Sequence, residues 1–544
     1  MTILGIGGSA HDFSCAIIVD GDIVISIEEE RISKEKNCRG LKSKLLRCID
    51  YCLNATQITL KDVDYIIGND LLGLLSKHHH LDKIIYINHH LAHCASSYYT
   101  SGMDEAAGLV IDGSGTVYSD MKNDAVSWYK IDRSSGISLL GKMLCDPMKD
   151  DDFFPFRTNS IGFFYAAITK LCGFESLQDG KTMGLASYGK PTYEKEIDRF
   201  IQLDCENGKP HLRFDCDSLI DYGQEILKGK NIQKDFEVYA DLAYAGQAVL
   251  EKTIFKLMNY IHSVVKTDKL VYAGGVALNS VLNGKIKKKT PFRDVYIYPA
   301  AGDAGTGVGA ALYMYYHIMR QPYTKHSKFD SVFLGSEYKN EDVLSVISKY
   351  SDKINFTKCT ENELCSVAAQ KIYDNHIIGW YQGRTEVGPR ALGNRSILAN
   401  PMNAEMKDIL NHRVKFREHF RPFAPAVLKE HISEFFDDDF IDNPYMLFVA
   451  DVHEDKKEQI PAVVHVDGTA RLQTVSHEDN RRYYKLINSF YGLSNIPMVI
   501  NTSFNIKSKP IVETPNDAMM TFLNCDMDDL FLHDYHITKK KHTT

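Results

Sequence analysis

Three histidines stand within five positions of the stretch INHHLAHCASS, residues 87–97. If a helix begins after Asn88, a residue type that favours the N-cap, His89 and His93 lie one turn apart on one face. This is the spacing of two imidazole ligands of one metal ion, although imidazoles that only make hydrogen bonds would give the same pattern. The glutamate that follows the first histidine in the zinc-peptidase helix is missing, so no peptidase base stands there. A metal ion would need further ligands from elsewhere.

Four loops that follow predicted strands carry small or acidic residues suited to phosphates or cations. They contain His11 and Asp12 in the first loop, Asp112, Gly113 and Gly115 in the second, Gly274 and Gly275 in the third, and Asp303 in the fourth. Glycine lets backbone N–H groups approach a phosphate, and an aspartate at a strand end can bind a cation. Each loop alone is a common structural turn. Their order resembles the duplicated nucleotide-binding fold of actin, heat-shock ATPases and sugar kinases.

The elements that must position these loops follow from local turn and strand signals. Asp20-Gly21 predicts a tight β-hairpin, because its turn needs positive φ angles that Asp and Gly adopt. The apolar run 109–111 predicts a strand that leads directly into Asp112. Gly274 and Gly275 precede a predicted helix whose N-terminus could seat a phosphate.

The second half of the chain is rich in arginines interrupted by glycine, proline and aromatic residues. The cations are Arg384, Arg390, Arg395, Arg413, Lys415, Arg417 and Arg421. A solvated helix face would carry acidic partners at helical spacing, and glycine and proline break any such face here. Because each guanidinium binds two oxygens and stays charged, this pattern favours a polyphosphate pocket over a merely basic surface. Arg471 and the run NTSFN, residues 501–505, lie in later polar loops.

Length and composition narrow the class of protein. A chain of 544 residues predicts two to four domains, and 44% apolar with 25% charged residues is typical of a soluble globular protein. The net charge of −8 gives no general attraction for nucleic acid, which is not an expected partner. Twelve cysteines without a CxxC pair indicate reduced thiols and a cytoplasmic location. Without a signal peptide or a run of 18 apolar residues, no membrane partner is expected.

Longer motifs resemble one enzyme family along nearly the whole chain. Among them are GSAHDFSCAIIVDGDIV, NHHLAHCASS, GKTMGLASYG, AGGVALNS, EVGPRALGNRSILA, FREHFRPFAP, VDGTARLQTV and NTSFN. They resemble the O-carbamoyltransferases grouped with nodulation protein U and the cephem and aminoglycoside antibiotic carbamoyltransferases. The resemblance implies an α/β protein in three parts: a carbamoyl-transfer domain with the duplicated actin-like fold (1–325), a linker (326–342) and a C-terminal YrdC-like α/β domain (343–544).

The resemblance also implies a division of chemistry between the two domains. The C-terminal domain would form carbamoyladenylate from carbamoyl phosphate and ATP with Mg²⁺, and Arg390, Lys415, Arg421 and Arg471 would be its catalytic cations. The N-terminal domain would transfer the carbamoyl group to a hydroxyl of a small-molecule or carbohydrate acceptor. Its metal ligands would be His89, His93, Asp112 and Asp303, a set that suits Fe²⁺ first, with Mn²⁺ or Zn²⁺ as alternatives.

Further residues take expected roles in binding or proton transfer. His11 or Asp12 is the candidate base for the acceptor hydroxyl, although loop-tip His and Asp also form turns. The expected nucleotide contacts are Gly113, Gly115, Lys181, Gly274, Gly275, Asn279, Arg384, Arg395, Asn501, Ser503 and Asn505. Lys181 could equally cap a loop.

Two other functions stay open at this point. A fusion enzyme that makes the threonylcarbamoyl modification of tRNA would use the same pair of folds and would depend on bicarbonate and threonine. An ATP-regulated binding protein would keep the nucleotide fold without group transfer, but it would need neither metal ligands nor a second phosphate site. The acceptor is not selected by any motif, and a homodimer is an open alternative to a monomer.

Overall fold

The computed structural model describes residues 1–38, 45–73, 83–149, 155–323, 331–437 and 442–540. These residues form two compact units, Met1–Ile23 with Leu60–Phe329 and Val24–Thr59 with Asp330–Thr544. Both units mix helices and strands, which confirms the predicted α/β class. The segment Val24–Thr59, placed by the sequence with the N-terminal domain, groups with the second unit. Residues 326–330 of the predicted linker lie outside the described residues.

The strands carry the labels β1 to β22 in chain order. They are β1 (Thr2–Gly7), β2 (Ser14–Val19), β3 (Asp22–Glu28), β4 (Tyr65–Asn69), β5 (Ile84–Ile87), β6 (Glu105–Ile111), β7 (Asn123–Asp132), β8 (Gly136–Cys145), β9 (Ile201–Glu206), β10 (Lys209–Phe214), β11 (Lys269–Ala273), β12 (Asp294–Ile297), β13 (Ile354–Lys358), β14 (Ile378–Tyr381), β15 (Arg395–Ala399), β16 (Ala424–Leu428), β17 (Ala450–Asp451), β18 (Thr469–Ala470), β19 (Gln473–Val475), β20 (Met498–Ser503), β21 (Asp529–Leu532) and β22 (Tyr535–Lys539).

The helices carry the labels α1 to α15. They are α1 (Glu29–Ser33), α2 (Leu45–Thr56), α3 (His89–Ser101), α4 (Ile161–Leu171), α5 (Asp179–Ala186), α6 (Glu194–Ile197), α7 (Cys216–Leu227), α8 (Phe236–Val265), α9 (Ser280–Lys289), α10 (Thr306–Tyr313), α11 (Asn340–Lys349), α12 (Glu361–Tyr373), α13 (Met406–Leu410), α14 (Arg481–Ser494) and α15 (Pro515–Leu523). Single turns of tighter or wider helix include Asp303–Gly305 before α10 and Asn411–Lys415 after α13.

The same sheet topology occurs twice in the N-terminal part of the chain; of β3, only Asp22 and Ile23 belong to the first unit. One sheet has the order β3-β2-β1-β4-β5 and the other β8-β7-β6-β11-β12. In each, the first strand of the repeat pairs antiparallel with the second and parallel with the fourth, and the fourth pairs parallel with the fifth. The central strands β1 and β6 are buried along almost their whole length, as expected of strands covered on both faces. The duplicated architecture expected from the loop order is therefore present.

In each repeat a helix follows the fifth strand, and these two helices pack together at glycines. Helix α3 follows β5, and α10 follows β12 through the turn Asp303–Gly305. A β-carbon added to Gly309 of α10 would lie 1.9 Å from the carbonyl oxygen of Ala92 in α3. One added to Gly307 would lie 2.9 Å from the backbone nitrogen of Gly7 at the end of β1. Only glycine permits this approach, which brings the start of α3 next to Asp303.

The second unit is built on an eight-stranded mixed sheet. Its order is β13-β22-β21-β14-β15-β20-β16-β19, with parallel pairing at β14–β21 and β16–β19. Trp380, Ile397, Val499 and Phe531, from four of these strands, are fully buried in one core. The assignment of this unit to a YrdC-like fold stays a prediction.

Candidate functional site

Four side chains of the first unit converge on one point, and we call them the metal tetrad: His89, His93, Asp112 and Asp303. The two Nε2 atoms lie 3.1 Å apart. His89 Nε2 is 3.2 Å from Asp112 Oδ2 and 3.5 Å from Asp303 Oδ1. His93 Nε2 is 3.7 Å from Asp112 Oδ2 and 3.4 Å from Asp303 Oδ1. Both imidazoles are fully buried.

These distances fit a single divalent cation. Ligand atoms at about 2.1 Å from a tetrahedrally coordinated ion are about 3.4 Å from one another. This is close to the middle of the 3.1 to 3.7 Å observed for the five pairs that include an imidazole nitrogen, and all four ligand atoms lie within 4.8 Å of one another. Two imidazole nitrogens that face each other at 3.1 Å also need a proton or a cation between them. The donor set of two nitrogens and two carboxylate oxygens suits Fe²⁺, Mn²⁺ or Zn²⁺.

Without a cation, the carboxylates of the metal tetrad favour the protonated form of His89. Burial alone would lower the pKa of His89, but the nearby carboxylates of Asp303 and Asp112 outweigh it and raise that pKa to about 10. Burial in turn opposes ionisation of Asp303, yet the charges and hydrogen bonds of His89 and His93 hold the pKa of its carboxyl well below the usual range. The site therefore attracts positive charge strongly.

The loop after β6 is tied to the start of α3 by hydrogen bonds. Asn88 caps the helix by accepting from the Leu91 N–H at 2.9 Å, as predicted, and its amide donates to Thr116 and Asp124, both at 2.8 Å. The His89 backbone N–H donates to Thr116 Oγ1 at 3.0 Å. Since Thr116 ends the loop that begins with Asp112, this contact places Asp112 beside the histidines.

The first glycine loop contributes a further layer around Asp303. Ser9 Oγ donates to Asp303 Oδ2, and His11 Nδ1 lies 3.9 Å from the same oxygen. His11 also pairs with Asp12 at 3.0 Å. Although burial lowers the pKa of His11, the Asp12 hydrogen bond and the charge of Asp303 raise it to about 9. His11 is 30% exposed, so a substrate can reach the ring.

The predicted nucleotide loops of the first unit lie around Asp112. The N–H groups of Gly113 and Gly275 point to Asp112 Oδ1 at 2.8 and 3.4 Å. A β-carbon at Gly115 would lie 2.7 Å from the His90 ring, and one at Gly274 would lie 2.2 Å from the Ile111 carbonyl oxygen. Gly115 and Gly274 are therefore required by close packing, and the contact of all four glycines with a nucleotide stays a prediction.

Asn279 and Lys181 have contacts within the protein. Asn279 caps α9 by accepting from the Leu282 N–H at 3.0 Å, and its amide donates to Gln247 at 2.9 Å. Lys181 lies in α5, and its ammonium nitrogen is 5.4 Å from the centre of the Phe174 ring. Their expected roles toward ATP remain predictions.

Five cations of the second unit form what we call the cation cluster. They are Arg390, Lys415, Arg417, Arg421 and Arg471. The four arginines are half-buried, and Lys415 is 4% exposed. The Nε atoms of Arg390 and Arg471 are buried without a hydrogen-bond partner among the described residues. Glu418 approaches Arg421 at 4.0 Å.

Like charges gathered in a desolvated place support the prediction of an anion site at this cluster. Burial, followed by repulsion from Arg421, lowers the pKa of Arg390 to about 10 and that of Arg417 to about 9. The pKa of Arg471 falls well below its usual value for the same reasons. Because arginine does not give up its proton in proteins, the cost is offset only when an anion enters.

Other predicted phosphate ligands of the second unit bond to the protein itself. Arg384 donates to the carbonyls of Val24, Leu334 and Gly335, and Arg395 to those of Gln382, Gly383 and Asn394. Asn501 donates to Ala391 O at 3.1 Å. Their role as ATP ligands stays a prediction, and the contacts assign them a bracing role.

Lys415 also bonds to the protein through its ammonium group. It donates to the backbone carbonyl of Ser503 and, at 2.9 Å, to the side chain of Asn505. Ser503, Asn505 and Lys415 therefore form one hydrogen-bonded group next to the arginines. Arg417 belongs to the cluster although its sequence context did not distinguish it from Arg413, which instead pairs with Asp526 and Asp528.

No helix among the described residues combines the length and the apolar character needed to cross a membrane.

Comparison with known proteins finds family matches in both units of the chain. Residues 2–75 and 68–312 match the description "Carbamoyltransferase N-terminus", and residues 369–539 match "Carbamoyltransferase C-terminus". The chain is 33% identical to nodulation protein NolNO of Sinorhizobium fredii, over 97% of this chain and 79% of that one. It is 35% identical to nodulation protein NolO of Bradyrhizobium diazoefficiens, over 84% and 79%. A crystal structure of full-length HypF matches at 16% identity and a TM-score of 0.42, over 59% of this chain and 47% of the HypF chain.

Proposed function

The chain belongs to the carbamoyltransferase family, and from this premise we propose that it is an ATP-dependent O-carbamoyltransferase with one reaction site in each unit. The observation that carries the proposal is the cation cluster, because its arginines repel one another in a desolvated place and two of them, Arg390 and Arg471, make no hydrogen bond among the described residues. A chain that carried out metal-dependent transfer alone would not need a second site for a polyanion.

The second unit forms the activated carbamoyl group. In the first step, water hydrolyses carbamoyl phosphate to carbamate and phosphate. A carbamate oxygen then attacks the α-phosphorus of ATP, forming carbamoyladenylate and releasing pyrophosphate. Arg390, Arg421 and Arg471 hold the phosphate oxygens, and Mg²⁺ shares their negative charge. Lys415 keeps the Ser503–Asn505 loop in place beside them.

The first unit transfers the carbamoyl group. The acceptor hydroxyl oxygen bonds to the carbamoyl carbon, the bond from that carbon to the phosphate oxygen breaks, and AMP leaves. His89, His93, Asp112 and Asp303 would hold a divalent cation, which would supply Lewis-acid chemistry for this transfer. The proton of the acceptor hydroxyl goes to the pair formed by His11 and Asp12, which are joined at His11 Nδ1. Because the pKa of His11 is about 9, its Nε2 accepts this proton only in the deprotonated ring, so transfer should speed up as the pH rises toward 9. The acceptor is a hydroxyl of a small molecule or carbohydrate, and the protein acts in the cytoplasm.

The test separates the two half-reactions. Wild-type protein with MgATP and no acceptor should release pyrophosphate only when carbamoyl phosphate is present, and mass spectrometry should detect carbamoyladenylate. Arg390→Ala should abolish pyrophosphate release, whereas His93→Ala should retain it and lose carbamoylated product. Arg413→Ala is the matched control, because this neighbouring arginine is already paired with Asp526 and Asp528.

The same assay decides between the proposal and its rivals. ATP cleavage driven by bicarbonate and threonine, and not by carbamoyl phosphate, would replace the proposal with tRNA modification. Absence of both reactions in folded, metal-loaded protein would favour an ATP-regulated binding protein. Loss of both half-reactions in a folded Arg390→Ala variant would refute the division of labour.

A further inference from the structure

The loop that carries Arg390 is held by two buried side chains that come from far away in the sequence. We call residues 386–395 the Arg390 loop. The Gly388 N–H donates to Glu28 Oε1 at 2.5 Å, and Arg31 Nη2 donates to the Gly388 carbonyl at 2.6 Å. Arg31 is fully buried, and its Nε lies 3.6 Å from Glu28. Glu28 and Arg31 belong to the segment Val24–Thr59, which forms part of the second unit.

Gly388 needs these partners because of its backbone. Its φ of +91° keeps it out of strand pairing and favours glycine. The next residue is Pro389, which has no N–H and a fixed φ. The clamp on Gly388 is thus transmitted through one stiff residue to Arg390.

The far side of the loop is held in a similar way. A buried carboxylate, Glu386, accepts the N–H of Leu392 at 2.6 Å and that of Arg395 at 3.2 Å. Gln473 donates to the Leu392 carbonyl at 2.8 Å. Arg390 is therefore fixed two residues before and two residues after its own position, while its Nε has no partner among the described residues.

We propose that Glu28 and Arg31 are positioning residues for adenylate formation, which set the place of the Arg390 guanidinium through Gly388. The inference rests on the proposed function. It makes a segment of the N-terminal sequence part of the carbamoyladenylate-forming site. Charge alone does not require both residues, since a buried ion pair adds little to stability compared with apolar packing. What the Arg390 loop requires is their two hydrogen bonds, to the backbone N–H and to the carbonyl of Gly388.

The experiment is a double-mutant cycle on kcat/KM for ATP, measured by pyrophosphate release with carbamoyl phosphate. Glu28→Ala should lower this value about tenfold to a hundredfold, the effect of displacing a reactive group by about 1 Å. Glu28→Gln keeps an oxygen acceptor for Gly388 and should stay within about threefold of wild type. If Glu28 acts through Arg390, Glu28→Ala should cause no further loss in an Arg390→Lys background, and both single variants should divide their losses alike between kcat and KM.

Tyr51→Phe is the control for a general loss of stability. Tyr51 lies in the same segment; its hydroxyl donates to Glu513 and accepts from the Ser336 N–H, and neither partner belongs to the Arg390 loop. This variant should lower the Tm and leave kcat/KM unchanged. The inference would be overturned, while the proposed function stands, if the two losses of kcat/KM multiply in the double variant. It would also be overturned if Glu28→Ala lowers only the Tm. A wild-type protein without carbamoyl-phosphate-dependent pyrophosphate release would overturn both.

Discussion

Replacing Gly309 with alanine should weaken metal binding although Gly309 is not a ligand. The new β-carbon would lie 1.9 Å from the carbonyl oxygen of Ala92 and 2.8 Å from the backbone nitrogen of Ser96. A carbon–oxygen contact needs about 3.3 Å. Helices α3 and α10 must therefore separate by more than about 1 Å near this point. His89 and His93 lie on α3, and Asp303 lies just before α10, so the separation pulls the tetrad apart.

The expected size of the effect follows from that displacement. Metal–ligand distances are tolerated only within about 0.2 Å of their ideal values. Lost support of ligands costs roughly 10- to 100-fold in metal affinity. Because the substitution moves two ligands relative to a third, we expect a loss of metal affinity at the upper end of this range, about 100-fold or ~2.8 kcal/mol. Overpacking should also lower the unfolding free energy by about 1–3 kcal/mol.

The assay is titration of metal-free protein with Mn²⁺ and Zn²⁺, combined with the metal content of purified protein and the Tm. Gly180→Ala is the matched control: Gly180 also lies within a helix, and an added β-carbon meets no atom within 4 Å. Alanine there should add about 0.5–1 kcal/mol of stability and leave metal affinity unchanged. A Gly309→Ala protein with wild-type affinity would show that the contact between α3 and α10 does not position the tetrad.

Three further predictions concern charge. Pyrophosphate at about 100 times its Kd should raise the unfolding free energy of the wild type by about 2.7 kcal/mol, measured by calorimetry. Arg471→Ala should reduce this stabilisation, because the anion offsets repulsion in the cation cluster. An equal stabilisation of the variant would contradict the anion site. Asp529 accepts from His376 at 2.5 Å and from His536 at 2.7 Å. These hydrogen bonds outweigh burial and lower the pKa of Asp529 below its usual 3.8. Asp529→Asn should therefore lower the free energy of unfolding, measured in urea near pH 7, by about 2 kcal/mol. The difference between the two proteins should disappear as the pH falls below the pKa of Asp529 in the folded protein. Because the pKa of His89 is about 10 without metal, metal uptake at pH 7 should release protons and tighten as pH rises, which calorimetry in two buffers measures.

Local signals in the sequence were sufficient for the elements that hold the first unit together. The Asp20-Gly21 hairpin has the positive φ angles, 51° and 96°, that its turn requires. Helix α3 begins at the predicted cap, Asn88, so His89 and His93 do face one point. Both features depend on a few neighbouring residues, and for that reason they can be recognised without knowledge of the fold.

The partners of the arginines could not be predicted in this way. Arg384, Arg395 and Arg390 occur within twelve positions and have the same chemistry. The first two donate to backbone carbonyls, whereas Arg390 makes no hydrogen bond among the described residues. The Nε of Arg395 is also buried without a partner there, but its two Nη groups are bonded to carbonyls. A carbonyl oxygen and a phosphate oxygen place the same demand on a guanidinium, so only the folded chain distinguishes a brace from a ligand. The same limit applies to Glu28, whose partner Gly388 is 360 positions away.

The duplicated topology explains why the metal tetrad draws on distant parts of the sequence. The histidine pair follows the fifth strand of the first repeat, Asp303 follows the fifth strand of the second, and Asp112 follows the first strand of the second. In each repeat the fifth strand leads into a helix start, and these two helices meet at Gly309. Equivalent positions of the two repeats therefore supply imidazoles on one side and a carboxylate on the other. Because neither repeat alone contains a complete ligand set, a single repeat should bind no metal tightly, and the site requires both.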